Sequence, residues 1–562
     1  MLTRFTGRNY KAFESFSLEL KPLTILLGAN SCGKSAILNS FLMLSQSIEA
    51  SSNSETPFRL NGNRVGMGES LNIIKDKNKN NTLSFAFEFD EQTAIKRLIS
   101  AAKRECMDIH FDCARYVYQS LRMNREISSS IEPLLNELDN LYYTSEGFNL
   151  TNLSKMSEKI CSIIRVFRAN KDKIKVNQRF KTQSGKKFIS IMDDISYQKI
   201  HDCMVGLIPI SLTRLAAHRI ELKFKYRKKD DCFYICQIKL SNKSSESIID
   251  IKIDSSSDIT LMSDVIDNDI LRKSKKDIKK LLNLKSLLVC DADEGIRFSM
   301  ANYFTNSNNP FAIYFSRIMS ASFSELKTLF SDVNINHVSP LRAFPQRYYL
   351  LDKAIYHNQL NASDGTELAE VLKNNTHIKD SINELLAEFK IAIDVEKVND
   401  IIHKISVNQE AVNLELTDVG FGISQVLPIL VQAYLSPIGS ITIIEQPEIH
   451  LHPKMQAWLT DALIKIALNN SKMFIIETHS DALVRRLRLR IVDEDSKLSE
   501  NDIAVYYLER DKINYKTEIK RIEVTSDGDI SWPSEFMDVE ISDTLLIQQK
   551  KLDRMMKKNE GL

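Results

Sequence analysis

One octapeptide near the start of the chain combines residue types that can hold a chain of phosphates. Gly28-Ala-Asn-Ser-Cys-Gly-Lys-Ser35 fits the Walker A pattern, a glycine and four further residues followed by Gly-Lys-Ser or Gly-Lys-Thr. The apolar run Leu23–Leu27 predicts a buried strand before it, and Ala36–Leu44 predicts a helix after it. This context favours a phosphate-binding loop over a chance turn, because backbone N–H groups at a helix N-terminus bind anions.

The side chains of this loop have distinct expected roles. Lys34 is predicted to reach the β- and γ-phosphates of a nucleotide, and the Ser35 hydroxyl is predicted to ligate Mg²⁺. The backbone of the remaining residues should surround the phosphates; these residues are Gly28, Asn30, Ser31, Cys32, Gly33 and Ala36. The implied cofactors are ATP and Mg²⁺.

Two later strand-like runs end in polar residues that can complete such a site. Ile441–Ile444 is followed by Glu445-Gln446-Pro447-Glu448, and an acidic residue at this place is a Walker B element, which holds the Mg²⁺ shell. Met473–Ile476 is followed by Glu477-Thr478-His479. A histidine at the end of that strand can sense the γ-phosphate by hydrogen bonding.

A third segment offers another anion-binding helix start. Asp418-Val-Gly420-Phe-Gly422-Ile-Ser424-Gln425 precedes the apolar helix predicted over Val426–Leu435. Its glycines and serine lie where the helix N-terminus presents free N–H groups.

Together these motifs resemble those of the ABC/SMC-like ATPases. The similarity is to the branch containing the overcoming-lysogenisation-defect proteins and the ATPase subunits of Septu-type and retron-associated antiphage systems. It covers both ends of the chain and omits the helical middle. Further matching segments are Val338–Tyr348, Ser363–Leu372 and Asp527–Pro533.

The resemblance implies an α/β fold, an ABC-type P-loop ATPase head with an inserted helical and antiparallel β-meander region. It also implies a head-to-tail homodimer that sandwiches two ATP·Mg²⁺, in which Gly420, Gly422 and Ser424 contact the γ-phosphate of the partner's nucleotide. The implied partner is a nuclease of the HNH type in antiphage defence, with nucleic acid bound directly or through the complex.

One departure from the family pattern bears on hydrolysis. Glu445 takes the first position of the usual Asp-Glu pair, but Gln446 takes the second, and an amide cannot act as a general base. Either Glu448 reaches the attacking water, or hydrolysis is slow and the ATP-bound dimer persists. The predicted catalytic residues are thus Glu445, Gln446, Glu448 and His479, and the predicted metal ligands are Ser35 and Glu445.

Length and composition fit a nucleotide-driven protein of the cytoplasm. The 562 residues exceed one ordinary core, and 75 Lys+Arg against 73 Asp+Glu give no overall polybasic character. The eight cysteines are scattered, which predicts reduced thiols. Neither a signal-peptide pattern nor a membrane-length apolar run is present in the sequence, so we expect a cytoplasmic protein without membrane contact.

The pattern along the chain predicts four parts. Residues 1–90 and 331–540 are expected to form the ATPase head, 91–330 the inserted region, and 541–562 a helical tail. Alternating polar and apolar residues between Glu221 and Ile253 predict the meander. The middle lacks heptads, which argues against a long coiled coil.

Alternative functions and local interpretations remain open at this stage. A fused nuclease needs more chain than the part that follows His479, and an SMC-like DNA repair ATPase needs coiled-coil arms. His450 and His452 more simply shape the loop after Glu448 than bind a metal. The basic cluster at Lys223–Lys229 can be a solvated strand edge or a nucleic-acid contact. The cluster at Arg485–Arg490 can form ion pairs with the acidic stretch that begins at Asp493 or contact nucleic-acid phosphates.

Overall fold

The computed structural model describes most of the chain. It covers residues 1–562 except 51–54, 91, 123, 145–146, 149–151, 174–195, 291–308, 343–344, 351–359, 361–366, 411, 512–515, 532–543 and 553–562. Part of each of the three further family-like segments, including Ser363–Thr366 and Trp532, lies outside the described residues.

The described part of the chain contains both strands and α-helices. The strands are β1 Leu2–Tyr10, β2 Phe13–Glu19, β3 Leu23–Gly28, β4 Leu83–Phe89, β5 Tyr143–Thr144, β6 Gly147–Phe148, β7 Arg219–Arg227, β8 Cys232–Ser241, β9 Ser247–Ile253, β10 Ile259–Met262, β11 Ile335–Val338, β12 Tyr349–Leu350, β13 Ile391–Lys397, β14 Ile402–Gln409, β15 Val412–Glu415, β16 Ile441–Glu445, β17 Met473–Glu477, β18 Ile503–Arg510 and β19 Thr517–Ile522. The α-helices are α1 Lys34–Glu49, α2 Thr93–Leu121, α3 Arg125–Tyr142, α4 Leu153–Ala169, α5 Tyr197–Gly206, α6 Leu212–Leu215, α7 Asn268–Leu281, α8 Pro310–Leu329, α9 Leu368–Asn374, α10 Thr376–Leu386, α11 Phe421–Leu435, α12 Pro453–Asn469 and α13 Asp481–Val492.

The chain forms two compact units by its internal contacts. The first contains residues 1–11 and 43–330, and the second contains 12–42 and 331–562. The division predicted from the sequence at residues 90, 330 and 540 stays a prediction.

The first unit contains a sheet of antiparallel strands in the order β10-β9-β8-β7-β4-β1. Strands β7 to β9 are the predicted meander, which is confirmed. Its first strand pairs with β4, since Leu83 lies opposite Phe224, so the meander extends the sheet of the N-terminal strands. Side chains alternate between the two faces of this sheet, and the buried face includes stacked rings such as those of Phe5 and Phe85.

The second unit is built on a sheet in the order β11-β16-β17-β3-β18-β19. Its first five strands are parallel and only β19 runs antiparallel. The runs in β3, β16 and β17 are apolar and buried almost throughout, as expected for parallel strands covered on both faces. This confirms the predicted α/β P-loop architecture.

The parallel arrangement decides where the polar strand ends lie. The carboxyl ends of β3, β16 and β17 meet at one edge, with Glu445 directly beside Glu477 in the register of neighbouring strands. Helices α1, α11, α12 and α13 are the elements that follow or precede these ends in the chain. The predicted site residues that follow these three strands are therefore gathered at this edge.

Helix α11 is tied to the sheet by a buried lysine. Lys472, 4% exposed, directly precedes β17, and its ammonium donates to the carbonyls of Ala433 and Tyr434, 2.7 Å away in each case. Burial lowers the pKa of Lys472 to about 8. The bonds satisfy carbonyls of the last turn of α11, which have no partner within the helix.

Two other predictions concern the ends of the chain and the membrane. Residues 544–552 form an exposed helix, and the predicted tail over 541–562 stays a prediction. Within the described ranges, every helix is too short or too polar to cross a lipid bilayer.

Candidate functional site

The loop after β3 needs glycine at two positions. Gly28 has φ +143°, and a Cβ there would lie 2.3 Å from the carbonyl oxygen of Leu508. Gly33 has φ +98°, and a Cβ there would lie 2.8 Å from the ring of Phe13. Helix α1 begins directly afterwards, with the N–H groups of its first turns near the loop. The geometry is that of a phosphate cradle, because only glycine leaves this path open.

The lysine of the loop is folded back onto its own backbone. Nζ of Lys34 donates to the carbonyl oxygens of Gly28 and Ala29, 2.9 Å away in each case, and lies 3.9 Å from Sγ of Cys32. Lys34 is 3% exposed. Its ammonium thus occupies the cradle that the β- and γ-phosphates are predicted to enter.

A carboxylate that the sequence analysis quoted but did not assign to the site contacts both key loop residues. Oε1 of Glu477 lies 3.8 Å from Nζ of Lys34, and the Ser35 hydroxyl donates to Oε2 at 3.1 Å. Burial is the main cause that raises the pKa of Glu477, with Glu445 and Glu448 adding to it and Lys34 opposing it. The feature that could have identified Glu477 as a site residue is its position at the end of a strand parallel to the Walker B strand.

The predicted Walker B carboxylate is held by a second residue that the sequence analysis did not select. Nε2 of His337, on β11, lies 2.7 Å from Oε1 of Glu445, so the ring N–H donates to the carboxylate. Glu445 also lies beside Glu477 across the strands β16 and β17. The hydrogen bond fixes the direction of the carboxylate, as partners of metal-ligating carboxylates do.

Gln446 follows β16 in a backbone conformation that is rare for residues other than glycine. Its φ is +42°, and its N–H donates to the carbonyl of Glu477 at 2.7 Å. On the other side, Nη2 of Arg342 donates to the carbonyl oxygens of Glu445 and Gln446, at 3.2 Å and 3.1 Å. Burial lowers the pKa of Arg342 to about 10, and the charge of Glu448 opposes this shift.

Both carboxylate oxygens of Glu448 are engaged with the segment after β17. Oε2 accepts from the hydroxyl of Thr478 at 2.8 Å, and Oε1 accepts from the backbone N–H of His479 at 2.7 Å. Burial and the positive charge of Lys34 lower the pKa of His479, while Glu448 raises it. In this arrangement Glu448 orients the His479 segment, and the neutral imidazole lies within the electrostatic reach of the phosphate loop.

The glycine segment before α11 is partly accessible. Gly420 caps the helix N-terminus and is exposed, and a Cβ at Gly422 would meet only Leu451, at 3.9 Å. Ser424 is different: it is 3% exposed. The predicted contact of Ser424 with a partner's nucleotide stays a prediction, and in the single chain this side chain is buried.

Two of the remaining sequence candidates, His452 and the arginine cluster, make contacts within the chain. His452 caps α12 by accepting from the N–H of Lys454, and the described residues contain no group of three or more His, Cys, Asp or Glu side chains suited to a metal. In the arginine cluster, Arg486 and Arg490 both pair with Asp461, and Arg490 also pairs with Asp493. The predicted ion pair with the Asp493 stretch is therefore confirmed for Arg490, whereas Arg486 pairs with Asp461.

The donor set at the sheet edge fits a magnesium–polyphosphate group. One hydroxyl and two carboxylates, from Ser35, Glu445 and Glu477, supply only oxygen, which Mg²⁺ prefers. Mg²⁺ in nucleotide sites is held by one or two side chains with waters and phosphate oxygens, so a cage of three protein ligands is not required.

Comparisons with known proteins agree with this geometry. The model of the AAA ATPase domain matches residues 1–484. No curated protein sequence matches the chain.

Three SMC head structures align with the chain at low similarity. The SMC head domain from Thermotoga maritima covers 93% of this chain and 99% of its own length, with 8% identity and a TM-score of 0.32. An SmcHead bound to the C-winged helix domain of ScpA covers 93% and 97%, with 9% identity and a TM-score of 0.35. An Smc head domain with an extended coiled coil from Pyrococcus furiosus, bound to the C-terminal domain of ScpA, covers 98% and 99%, with 10% identity and a TM-score of 0.31. These scores are low, so the assignment of the site depends on the residues of this chain.

Proposed function

The chain belongs to the AAA ATPase domain family, and we propose that it binds ATP with Mg²⁺ at residues 28–36 and hydrolyses it. The observation that carries the proposal is the convergence of Lys34, Ser35, Glu445 and Glu477 at one sheet edge. Phosphoryl transfer uses a loop whose path only glycine permits, a lysine ammonium and oxygen ligands for Mg²⁺, and this edge has all three.

Each residue has a proposed task in the loaded site. Lys34 leaves the carbonyls of Gly28 and Ala29 and binds the β- and γ-phosphates. Ser35 and Glu445 hold the Mg²⁺ shell, and Glu477 neutralises the same charge from the next strand. His479 hydrogen-bonds the γ-phosphate through a neutral ring, which agrees with its lowered pKa.

We propose slow hydrolysis, for which two observations give support. The amide of Gln446 cannot act as a general base, and both carboxylate oxygens of Glu448 already accept hydrogen bonds, from Thr478 and His479. Loss of a general base costs about 10²- to 10⁴-fold in rate. A long-lived ATP-bound state is the expected consequence.

The proposed working form is a homodimer that regulates a partner nuclease. The exposed Gly420 at the N-terminus of α11 supports it, since the backbone there is free to meet a second protomer's γ-phosphate. The resemblance of the motifs to Septu-type and retron-associated ATPase subunits supports the antiphage role and an HNH-type partner. Co-purification of the intact complex from its native operon tests this part.

Nucleotide binding is tested with Lys34→Ala. The substitution removes the charge-assisted contacts with phosphate, which are worth about 1.5 to 3 kcal/mol each, so ATP affinity should fall at least about 10-fold. Isothermal titration with Mg²⁺·ATP measures it. Lys390→Ala, at an exposed lysine paired with Glu410, is the control and should bind like the wild type. Wild-type affinity in Lys34→Ala contradicts the site.

A further inference from the structure

Arg342 is a buried cation at the Walker B turn. It is 6% exposed and lies just after β11, in the family-like segment Val338–Tyr348, whose role could not be assigned from the motifs. One of its three nitrogens, Nη2, contacts the carbonyl oxygens of Glu445 and Gln446 at 3.2 Å and 3.1 Å. Both acceptors belong to the backbone that leaves β16.

The other two nitrogens of this guanidinium have no partner among the residues that the structure describes. Nε and Nη1 of Arg342 are both buried and without a hydrogen bond there. A buried, incompletely paired charge is costly, and it persists only where the surrounding structure compensates for it. Glu448 is the acidic side chain whose charge acts on Arg342, although it hydrogen-bonds Thr478 and His479 instead.

The turn that Arg342 contacts is strained. At φ +42° Gln446 lies in the left-handed region, which costs about 1 to 3 kcal/mol for a residue with a side chain. Three hydrogen bonds hold it there: its N–H donates to the carbonyl of Glu477, and its carbonyl accepts from the N–H of Ile449 at 3.2 Å and from Nη2 of Arg342 at 3.1 Å. Without Arg342, the carbonyl of Gln446 keeps only the bond within its own turn.

We propose that Arg342 is a positioning residue of the ATP site, which holds the Gln446 turn that leads to Glu448. The hydrogen bonds from Nη2 hold the backbone of Glu445 and Gln446, and Glu448, two residues further on, accepts from the hydroxyl of Thr478 and the N–H of His479. Arg342 thereby orders two elements that face the γ-phosphate without touching the nucleotide. The inference depends on the proposed ATPase function for its kinetic part only.

The experiment compares Arg342→Gln, Arg342→Lys and Arg488→Gln. Arg488 is the matched control, because it donates to the carbonyl of Gly528 and pairs with Asp529, outside the ATP site. In Arg342→Gln we expect single-turnover hydrolysis to fall about 10- to 100-fold, as for a mispositioned catalytic group, while the Kd of Mg²⁺·ATP changes less than about 3-fold. Arg342→Lys, which keeps the charge and donors, should recover most of the rate.

Hydrogen exchange of the nucleotide-free protein supplies a readout that needs no ATPase activity. Arg342→Gln should raise exchange at 445–449 and 478–480, and Arg488→Gln should leave both segments unchanged. Unchanged exchange there overturns the inference even if the protein proves not to be an ATPase. Equal losses of rate and ATP affinity without rescue by lysine also overturn it, since they indicate a general loss of structure. If the wild type fails to bind ATP while exchange responds as expected, only the proposed function is refuted.

Discussion

Replacing Glu477 by glutamine should change how ATP binding depends on Mg²⁺. In the nucleotide-free protein the carboxylate lies 3.8 Å from the ammonium of Lys34, and the two side chains are 5% and 3% exposed. Lys34 has to leave this partner to reach the phosphates. Glu477→Gln keeps the size and an acceptor for Ser35 but removes the charge.

The magnitude follows from the distance. At an effective dielectric constant of about 20, two unit charges 3.8 Å apart attract by about 4 kcal/mol. Desolvation offsets part of the attraction in a buried pair, so we take half, about 2 kcal/mol, which corresponds to a factor of about 30. Without Mg²⁺, ATP should therefore bind Glu477→Gln about 30-fold more tightly than the wild type.

With Mg²⁺ the gain in ATP affinity of Glu477→Gln should disappear, because the variant lacks the carboxylate whose charge balances the cation. The ratio of the Kd values in EDTA and in Mg²⁺ should thus fall by a factor of about 30 or more. Titration of a fluorescent ATP analogue under both conditions measures this ratio. Asp461→Asn is the matched control, since it removes another half-buried carboxylate, which pairs with Arg486. A ratio in Glu477→Gln equal to that of the wild type refutes the reasoning.

Three further predictions test other parts of the molecule. Gln446→Glu should raise single-turnover hydrolysis by up to about 10²-fold by supplying a base, whereas Glu448→Gln should lower it only in part by disturbing the His479 segment; complete loss of hydrolysis in Glu448→Gln, with Gln446→Glu close to the wild type, would instead make Glu448 the base. Gly422→Asp should keep ATP affinity but prevent ATP-dependent pairing, measured by mass photometry, because its carboxylate would face a partner's γ-phosphate; an unchanged dimer population contradicts this contact. Lys472→Met should lower the free energy of unfolding at pH 7 by about 1 to 3 kcal/mol by leaving helix-end carbonyls unpaired. Folding lowers the pKa of Lys472 from 10.5 to about 8, so between these pH values the native state binds fewer protons than the unfolded state. The stability of the wild type relative to Lys472→Met should therefore rise with pH across this range. Urea titrations at several pH values measure it.

The phosphate loop and its fold class were determined by local sequence. Gly28 and Gly33 are required where φ is positive and a Cβ finds no room, and the apolar runs of β3, β16 and β17 match strands buried on both faces. Both features depend on residues that are consecutive in the sequence. The Walker A loop, the strands around it and the meander could therefore be predicted without the structure.

Tertiary structure alone decided which side chains complete the site. Glu477 contacts Lys34 because β17 lies between β16 and β3, and strand order is not encoded in any single segment. His337 and Arg342 reach the Walker B turn from a strand far away in sequence, for the same reason. The burial of Ser424 is a further example, since it depends on how α11 packs and cannot be read from the spacing of the segment. Spacing along the chain fixes residue types and local conformation, whereas burial and long-range hydrogen bonds depend on how the elements pack.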